Sequence, residues 1–357
     1  MSGTSDGSRR VDLLGMSLDQ LRQLCAGLGM PRFTATQVCD WLYKKRVGSI
    51  DAMTNLSLAS RSRLAEVAFI GRGEPLSVAS SSDGTRKYLF RTTAGHCVEA
   101  VFIPDGDRAT LCLSSQAGCR MGCRFCMTGT MGFLCSLTAG EILNQLLSLP
   151  EYDLITNVVF MGMGEPMDNL DAVLAATAAL TADWGLGWSP KRITVSTVGV
   201  LPALRRFVEE SRCHLAVSLH NADPEGRAAM MPVERAWPLA EVLGLLRGYD
   251  WSGQRRLTFE YTMIDGVNDT PRHAARLASA LRGLPCRVNL IRFHEGVRRD
   301  DYLPSSPQAI AAFQRSLEQH GVVCTLRASR GQDIEAACGL LAAKDNPAKH
   351  SINTQSQ

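Results

Sequence analysis

Hydrophobic positions along the chain change their spacing twice, which divides the sequence into three parts. Up to about residue 80 they recur every three or four residues, as in amphipathic helices. Between Arg86 and Ile103 they alternate with polar residues, as in half-buried strands. From Ala109 onward short apolar runs alternate with helical stripes, which predicts a parallel sheet covered by helices.

The first part predicts a small helical accessory domain over residues 1–80. Its helices begin near Ser17, Thr34 and Leu58, and the second runs into the basic sequence KKR at 44–46. The third helix carries Arg61 and Arg63. These cations either face solvent or bind RNA phosphates, and the sequence leaves both interpretations open. Residues 1–10 are rich in Ser, Gly and Arg and predict a disordered start.

The second and third parts predict a hairpin followed by a barrel. Strands at 86–91 and 97–103 form a β-hairpin extension over residues 81–108. Six strand–helix units and a closing strand then predict an α/β fold, a partial (β/α)6 barrel over residues 109–344 with a flexible tail at 345–357. The predicted barrel strands are 109–114, 157–163, 192–197, 214–219, 257–264, 287–293 and 322–327. The predicted helices are one that begins at Thr138, then 170–180, 201–210, 239–246, 272–281, 308–320 and a short one at 334–340.

Composition limits the cellular setting. A chain of 357 residues, 45% of them hydrophobic, is long enough for one large catalytic domain and a small accessory one. The net charge of +3 permits a nucleic-acid partner without requiring one. The first residues lack the apolar stretch of a signal peptide, and no apolar run reaches the ~20 residues of a spanning helix. Twelve cysteines without a secretion signal predict a reducing compartment, so we expect a cytoplasmic protein that does not enter the membrane.

Three closely spaced cysteines form the strongest chemical signal. Cys119, Cys123 and Cys126 have CxxxCxxC spacing, so a loop can turn all three thiolates toward one centre. Structural zinc usually takes four ligands, and no second Cys or His pair accompanies these three. A 4Fe-4S cluster held by three cysteines leaves one iron open, as in the radical S-adenosylmethionine (SAM) superfamily, which this pattern resembles. A zinc knuckle or three unrelated buried cysteines are the alternatives.

Polar residues also stand at the ends of consecutive predicted strands, where barrel enzymes place their functional groups. The second strand ends in GMGEP. Its glycines, Gly164 among them, let the backbone approach a ligand closely, and Glu165 offers a carboxylate to a ligand ammonium. The third ends near Ser196, and the fourth ends in SLHN, which begins with Ser218. Each signal alone is weak because such residues often only complete a turn, but together they favour a ligand site.

Two further cysteines are separated from the triplet. Cys112 lies on the strand that leads into the cysteine loop, and Cys338 follows two alanines and precedes a glycine. Each could be a small buried hydrophobic residue, which is how we interpret the remaining cysteines.

A set of motifs in fixed order resembles the RlmN/Cfr family of radical-SAM ribosomal RNA adenine methyltransferases. The similarity covers roughly residues 13–341, including the helical domain. The motifs, in order, are CLSSQAGCRMGCRFCMTG, VVFMGMGEPMDN, ITVSTVG, LAVSLHNADPEGR, MPVERAWPL, GVND, VNLI and RGQDIEAACGLL.

The resemblance implies a role for each candidate residue. The implied cluster ligands are Cys119, Cys123 and Cys126; the implied catalytic residues are Cys338 as methyl carrier, Cys112 as its resolving partner and Glu99 as proton acceptor. The implied SAM contacts are Gly164, Glu165, Ser196, Ser218, Leu219, His220 and His294. Family members often have Asn at the last of these positions, and Arg292 stands where they have Pro.

The resemblance also implies the chemistry and the partners. One SAM methylates the carrier cysteine, a second yields a 5′-deoxyadenosyl radical, and a transient disulfide releases the methylated base, so two SAM are used per turnover. The implied substrate is 23S ribosomal RNA, with transfer RNA as a second candidate, and the implied electron donor is a protein such as flavodoxin. We expect a monomer that methylates carbon 2 of adenine. The alternatives are methylation at carbon 8, as in the Cfr branch, and a non-catalytic zinc RNA-binding protein.

Overall fold

The predicted sequence of elements is recognisable in a computed structural model, which describes residues 10–253, 255–294 and 302–342. The predictions for residues 1–9 and for the tail at 345–357 lie outside the described residues. Across the described ranges, none of the helices has the length and apolarity needed to cross a bilayer.

The accessory domain contains the three predicted helices and a two-stranded parallel pair that the sequence did not reveal. Ser17 caps the first helix: its hydroxyl accepts the backbone N–H of Gln20 at 3.2 Å, and the Gln20 side chain accepts the N–H of Ser17 at 2.8 Å. The second helix continues into a π-helical turn, Asp40–Lys44. The elements are β1 (Val11–Asp12), α1 (Leu18–Gly27), α2 (Thr34–Cys39), α3 (Leu58–Val67) and β2 (Ala68–Phe69).

This domain is joined to the barrel by one continuous apolar core. Arg72 donates to the carbonyl of Leu147 at 2.7 Å, and Tyr43 packs edge-on against Trp184 with ring centroids 5.6 Å apart. The basic residues at 44–46, 61 and 63 contact groups of the protein itself. The contacts are Lys44 with Asp40, Lys45 with the Trp41 ring, Arg46 with the Tyr152 ring, Arg61 with the Asp51 carbonyl and Arg63 with the Leu28 carbonyl.

A sheet of ten strands, counted over the described residues, forms the main body. Its order is β14-β13-β12-β11-β10-β9-β6-β5-β4-β3, with β3 to β6 antiparallel and the others parallel. The strands are β3 (Ser77–Ser80), β4 (Arg86–Arg91), β5 (Cys97–Asp105), β6 (Arg108–Cys112), β9 (Asn157–Phe160), β10 (Ile193–Thr197), β11 (His214–Ser218), β12 (Leu257–Met263), β13 (Arg287–Arg292) and β14 (Cys324–Leu326). A separate hairpin consists of β7 (Gln116–Gly118) and β8 (Phe133–Ser136).

The six predicted strand–helix units are confirmed. Parallel strands that neighbour each other in chain order, with a helix after each, produce a partial barrel. Thr138 caps α5 through the predicted capping box with Glu141. The helices are α4 (Met127–Thr130), α5 (Ala139–Leu147), α6 (Leu170–Thr181), α7 (Leu201–Glu210), α8 (Pro224–Met230), α9 (Leu239–Arg247), α10 (Pro271–Leu281) and α11 (Pro307–Gln319).

Besides the pair of β1 and β2, the hairpin of β7 and β8 and helix α4, the structure differs from the sequence prediction in further places. Strand β3 and helix α8 were not predicted, and β3 lies in the main sheet although it falls within residues 1–80. The short helix predicted at 334–340 is wrong. Only a 3-10 turn, Gln332–Ile334, forms there, because Glu335 after it has a left-handed φ of 52° that ends helical geometry.

Candidate active site

The cysteine loop is closed by the hairpin of β7 and β8. Cys119 donates its backbone N–H to the carbonyl of Gly132 at 2.8 Å. Gly118 has a left-handed φ of 73°, and a Cβ there would lie 1.9 Å from the Gly132 carbonyl oxygen. Because only glycine fits so close to another backbone, the closure of the loop determines the residue that precedes the first cysteine.

The three loop cysteines fit an iron–sulfur cluster better than a zinc ion. Cys119, Cys123 and Cys126 all line one cavity, and burial raises the pKa of Cys119 to about 12. A bound metal would deprotonate such thiols. Within the part of the chain that the structure describes, no three His, Cys, Asp or Glu side chains converge on a single ion. A structural zinc ion needs its ligands around one point, whereas thiolates of a cubane cluster each bind a different iron.

The SSQ sequence at 114–116 ties the glycine-rich loop after β9 to the neighbouring strands. The hydroxyl of Ser114 donates to the carbonyl of Glu99 at 2.6 Å and accepts the backbone N–H of Met163 at 2.8 Å. Gly164 has a φ of 98°, and a Cβ there would lie 2.6 Å from Cβ of Gln116. The glycine is therefore required by the close approach of these two segments.

Glu165, the predicted carboxylate of the SAM site, is buried and held in one orientation. Its side-chain oxygens accept the backbone N–H groups of Met167 at 3.0 Å and Val198 at 2.9 Å. Its own N–H donates to the side-chain oxygen of Gln116 at 2.9 Å. Burial raises the pKa of Glu165 to about 7, so a cationic ligand group nearby would favour its charged form.

All but one of the predicted strand-end residues line the same cavity. Ser196, Ser218 and His220 line it together with Gly164 and Glu165, whereas Leu219 is buried in the core and does not line it, so its SAM contact stays a prediction. His220 Nδ1 accepts the N–H of Thr262 at 2.9 Å, which leaves Nε2 as the donor. Burial lowers the pKa of His220 to about 3, so the ring is neutral.

Arg227, which sequence reasoning missed, forms hydrogen bonds to the segments that follow two of these strands. Its side chain is 0% exposed and forms an ion pair with the buried Glu234. The guanidinium also donates to the carbonyls of Leu219 at 3.1 Å and Val198 at 2.9 Å. The signal was present in the sequence HNADPEGR, because an Asp-Pro pair is a common helix start and places the arginine one turn into α8.

We expect Arg227→Met to lower the free energy of unfolding by about 3–5 kcal/mol, because Glu234 would remain as an unpaired buried charge. Urea denaturation followed by circular dichroism measures the change. Arg206→Met is the matched control: its exposed guanidinium pairs with Glu210 at 2.9 Å and should contribute less than about 1 kcal/mol. Equal losses in the two variants would contradict the role of Arg227.

The segment after β14 carries Cys338 and is anchored by hydrogen bonds at two places. At its start, Gly331 donates its backbone N–H to the carboxylate of Asp83, in the turn between β3 and β4, at 2.9 Å. Near its end, the carbonyl of Gly339 accepts the N–H of Met127 in the cysteine loop at 2.8 Å. Two contacts therefore fix the position of Cys338, one in the hairpin extension and one beside the three loop cysteines.

Two cavities meet at Cys338. The first, here called the cluster cavity, includes in its lining Cys119, Cys123, Cys126, Gly164, Glu165, Ser196, Ser218, His220 and Cys338. The second, here called the cysteine cavity, has a volume of about 520 Å³ and is lined by Cys112, Arg327 and Cys338 among others. His294 lines both cavities, and burial lowers the pKa of its ring. Cys338 therefore lies at the boundary between the two cavities.

The two separated cysteines share their cavity with Arg327, which forms an ion pair with the buried Glu260. Burial raises the pKa of Cys112 to about 12, the pKa of the more exposed Cys338 is raised by partial desolvation, and the guanidinium of Arg327 opposes both shifts. Arg327 lies 3.5 Å from one carboxylate oxygen of Glu260, and Asn289 donates to the other at 2.8 Å. Sequence reasoning missed all three, although a single acidic residue inside the apolar strand β12 was a usable signal.

Glu99 is covered by the end of the same segment. Its carboxylate pairs with Lys87 at 3.1 Å and accepts the backbone N–H of Ala342 at 3.0 Å. Burial raises its pKa, which the Lys87 ammonium opposes. Glu99 lines neither of the two cavities, so a base could reach it only after the contact with Ala342 opens, and its role as proton acceptor stays a prediction.

Two family models match the chain. One, described as the ribosomal RNA large subunit methyltransferase N-terminal domain, matches residues 11–70. The other, the radical SAM superfamily, matches residues 113–278. The first match covers the helical domain and the second runs from the end of β6 into α10.

Relatives match over nearly the whole length. The probable dual-specificity RNA methyltransferase RlmN of Porphyromonas gingivalis is 52% identical over 96% of this chain and 97% of its own. This chain belongs to the RlmN family. The protein of the same name from Bacteroides fragilis is 54% identical over 93% of this chain and 96% of its own. The dual-specificity RNA methyltransferase RlmN of Syntrophotalea carbinolica is 43% identical over 96% and 93%.

Membership of the RlmN family confirms the resemblance drawn from the motifs. A solved structure agrees: a radical SAM methyltransferase from Sphaerobacter thermophilus superposes with a TM-score of 0.87 at 38% identity, covering 94% of this chain and 100% of that one. The α/β fold with its partial barrel is thereby confirmed as well. The roles of the individual site residues and the domain boundaries stay predictions.

Proposed function

We propose that this protein transfers a methyl group from SAM to carbon 2 of an adenine in 23S ribosomal RNA. The observation that supports it best is the position of Cys338, which lines both the cluster cavity and the cavity that contains Cys112. A sulfur so placed can accept a methyl group from one side and pass it on to a substrate at the other.

The cluster cavity supplies the groups that would bind the cofactors. Cys119, Cys123 and Cys126 would hold a 4Fe-4S cluster through its three protein-bound irons. When bound, the cluster supplies the electron for reductive cleavage of SAM. Glu165 offers a carboxylate to the SAM ammonium, and His220 offers a neutral Nε2–H donor. Gly164, Ser196, Ser218 and His294 line the same cavity and are placed to complete the site.

The two separated cysteines divide the remaining work. The thiolate of Cys338 accepts a methyl group from one SAM, and the neighbouring Arg327 guanidinium stabilises that thiolate. A second SAM is consumed in activating the methyl group, so turnover uses two. Once the carbon is joined to adenine, Glu99 accepts a ring proton and the thiolate of Cys112 attacks the sulfur of Cys338. The carbon–sulfur bond breaks and a disulfide forms, while the methylene carbon keeps the electron pair of that bond and takes up a proton, so that the methylated base is released.

This chemistry sets the expected partners. The disulfide must be reduced for the next turnover, which suits the cytoplasm, and a flavodoxin-like protein would supply the electron. Relatives named dual-specificity RNA methyltransferases support transfer RNA as a second substrate. We expect the enzyme to act as a monomer.

Product mapping tests the proposal and separates it from its alternatives. Reconstituted protein, given SAM, reductant and 23S ribosomal RNA from a strain that lacks this methylation, should yield 2-methyladenosine. Nuclease digestion followed by liquid chromatography and mass spectrometry distinguishes that nucleoside from 8-methyladenosine, and transfer RNA is assayed in parallel. Formation of 8-methyladenosine instead would support the Cfr-type reaction. A colourless zinc protein that binds RNA but yields no product would support the non-catalytic alternative.

A further inference from the structure

The cysteine cavity has an inner end at the two sulfurs and an outer end at two arginines. Arg108, Thr110 and Cys112 are alternate residues of β6, and all three line the cavity. Alternate strand residues project to the same face, so Arg108 lies about 13 Å along the strand from Cys112. Arg330, near the start of the segment that carries Cys338, lines the cavity too.

Apolar side chains form one part of the cavity wall between these ends, and the cavity is large enough for one nucleotide. Its walls include Ile103, Val159, Met161 and Ile291. The volume of about 520 Å³ falls in the range typical of small-ligand sites, about 300–1,000 Å³. Apolar walls suit the faces of a purine ring. An adenine inside a duplex cannot reach such a depth while stacked, so the nucleotide would have to be extruded from its helix.

The outer end carries charge that suits a sugar–phosphate backbone. Arg108 is exposed, and the Arg330 side chain keeps 35% of its surface in solvent. Arg330 pairs at 2.9 Å with Asp105, which is 72% exposed, and such an exposed pair is easily exchanged for a phosphate contact. Guanidinium groups match phosphate oxygens in geometry as well as in charge.

We infer that Arg108 and Arg330 bind RNA phosphates at the outer end of the cysteine cavity, whose inner end receives the target adenine under the proposed function. Asp105 holds Arg330 in place before RNA binds. The RNA thus approaches from the hairpin side of the barrel, while SAM occupies the cluster cavity on the other side of Cys338. This inference rests on the proposed function, because it takes RNA as the substrate.

The salt dependence of RNA binding tests the phosphate contacts. The probe is a fluorescein-labelled fragment of 23S ribosomal RNA that includes the methylated adenine, and the full-length, cluster-containing protein is titrated at several salt concentrations. Arg108→Gln/Arg330→Gln should reduce the slope of log K against log salt concentration by about 1 for each arginine removed. The matched control, Arg282→Gln/Arg315→Gln, removes two exposed arginines on the outer helices and should leave the slope unchanged.

The Asp105→Asn variant provides a test in the opposite direction. Removing its charge frees Arg330 and leaves the rim more positive, so RNA should bind more tightly than to the unmodified protein. If the ion pair only stabilised the fold, Asp105→Asn and Arg330→Gln would both weaken binding, and this outcome would overturn the inference. Arg108→Lys/Arg330→Lys keeps both charges and controls for misfolding. It should keep the salt slope of the unmodified protein. A decrease in slope as large as that of Arg108→Gln/Arg330→Gln would count against phosphate binding.

The same experiment separates failure of this inference from failure of the proposed function. If the unmodified protein forms no methyladenosine, the proposed function fails whatever the salt slopes are. If it forms the product, and the arginine variants match the control pair in both slope and apparent KM for RNA, only the phosphate site is refuted.

Discussion

Cys112→Ala is expected to accumulate as a covalent protein–RNA adduct linked through Cys338. The variant keeps the methyl carrier, so loading, activation and attachment of the carbon to adenine can all proceed. Release fails because no thiol remains in the cysteine cavity to attack the sulfur of Cys338. Cys338→Ala should fail earlier: it has no carrier, so neither adduct nor product forms, although the cluster should still assemble. We expect no free product from either variant, and only Cys112→Ala should retain covalently bound RNA.

Denaturing electrophoresis before and after nuclease treatment detects the adduct, and mass spectrometry of tryptic peptides locates it. Cys213→Ala is the matched control, since Cys213 is buried at the edge of β11, away from both cavities. It should lose about 1–2 kcal/mol of stability and turn over normally. Free turnover by Cys112→Ala without an adduct would refute the two-cysteine scheme and leave the cluster assignment intact.

Replacing Cys119, Cys123 or Cys126 by Ala is expected to abolish both iron binding and SAM cleavage. Two thiolates cannot hold a cubane cluster whose fourth iron must remain open for SAM. The three sulfurs also lie in one cavity with Glu165 and His220, so losing the cluster removes the site at which SAM would bind.

Iron content and absorbance after anaerobic reconstitution, together with 5′-deoxyadenosine formation, provide the measurements. Cys135→Ala is a close control because Cys135 lies on β8, in the hairpin that closes the loop, but does not line the cluster cavity. It should keep both its iron and its activity. Full iron content and deoxyadenosine formation in any one of the three ligand variants would contradict the assignment.

The sequence predicted much of the fold because much of it is local. Capping at Ser17 and Thr138 involves residues three positions apart, and alternating strands and helices follow from side-chain spacing alone. The segments that were missed or wrong have weak or conflicting local signals. Helix α8 has only seven residues and includes a glycine. The predicted helix at 334–340 had suitable alanines, but the left-handed Glu335 and the contact of Gly339 with the cysteine loop override that propensity.

The partners of the buried charged residues also could not be predicted from local sequence signals. Glu260 lies on strand β12, whose apolar neighbours indicated only that it is buried, and its partner Arg327 follows the end of β14 and is partly exposed. Arg227 is surrounded by carbonyl groups from the loops after β10 and β11, and no spacing rule connects it with them. Such partners are found when the elements pack, because buried charges must be paired wherever the fold brings them.

The cysteine triplet and the polar strand ends were determined by the sequence alone, because ligands within one loop need only a turn to converge, and parallel strands always place their ends together. Only the tertiary structure decided that Cys112 and Cys338 share a cavity. They lie at opposite ends of the barrel sequence. The last segment brings them together, because it forms hydrogen bonds with Asp83 in the hairpin extension and with Met127 beside the three loop cysteines. Those contacts join residues far apart in the chain, so they depend on the packing of the whole barrel and not on local pattern.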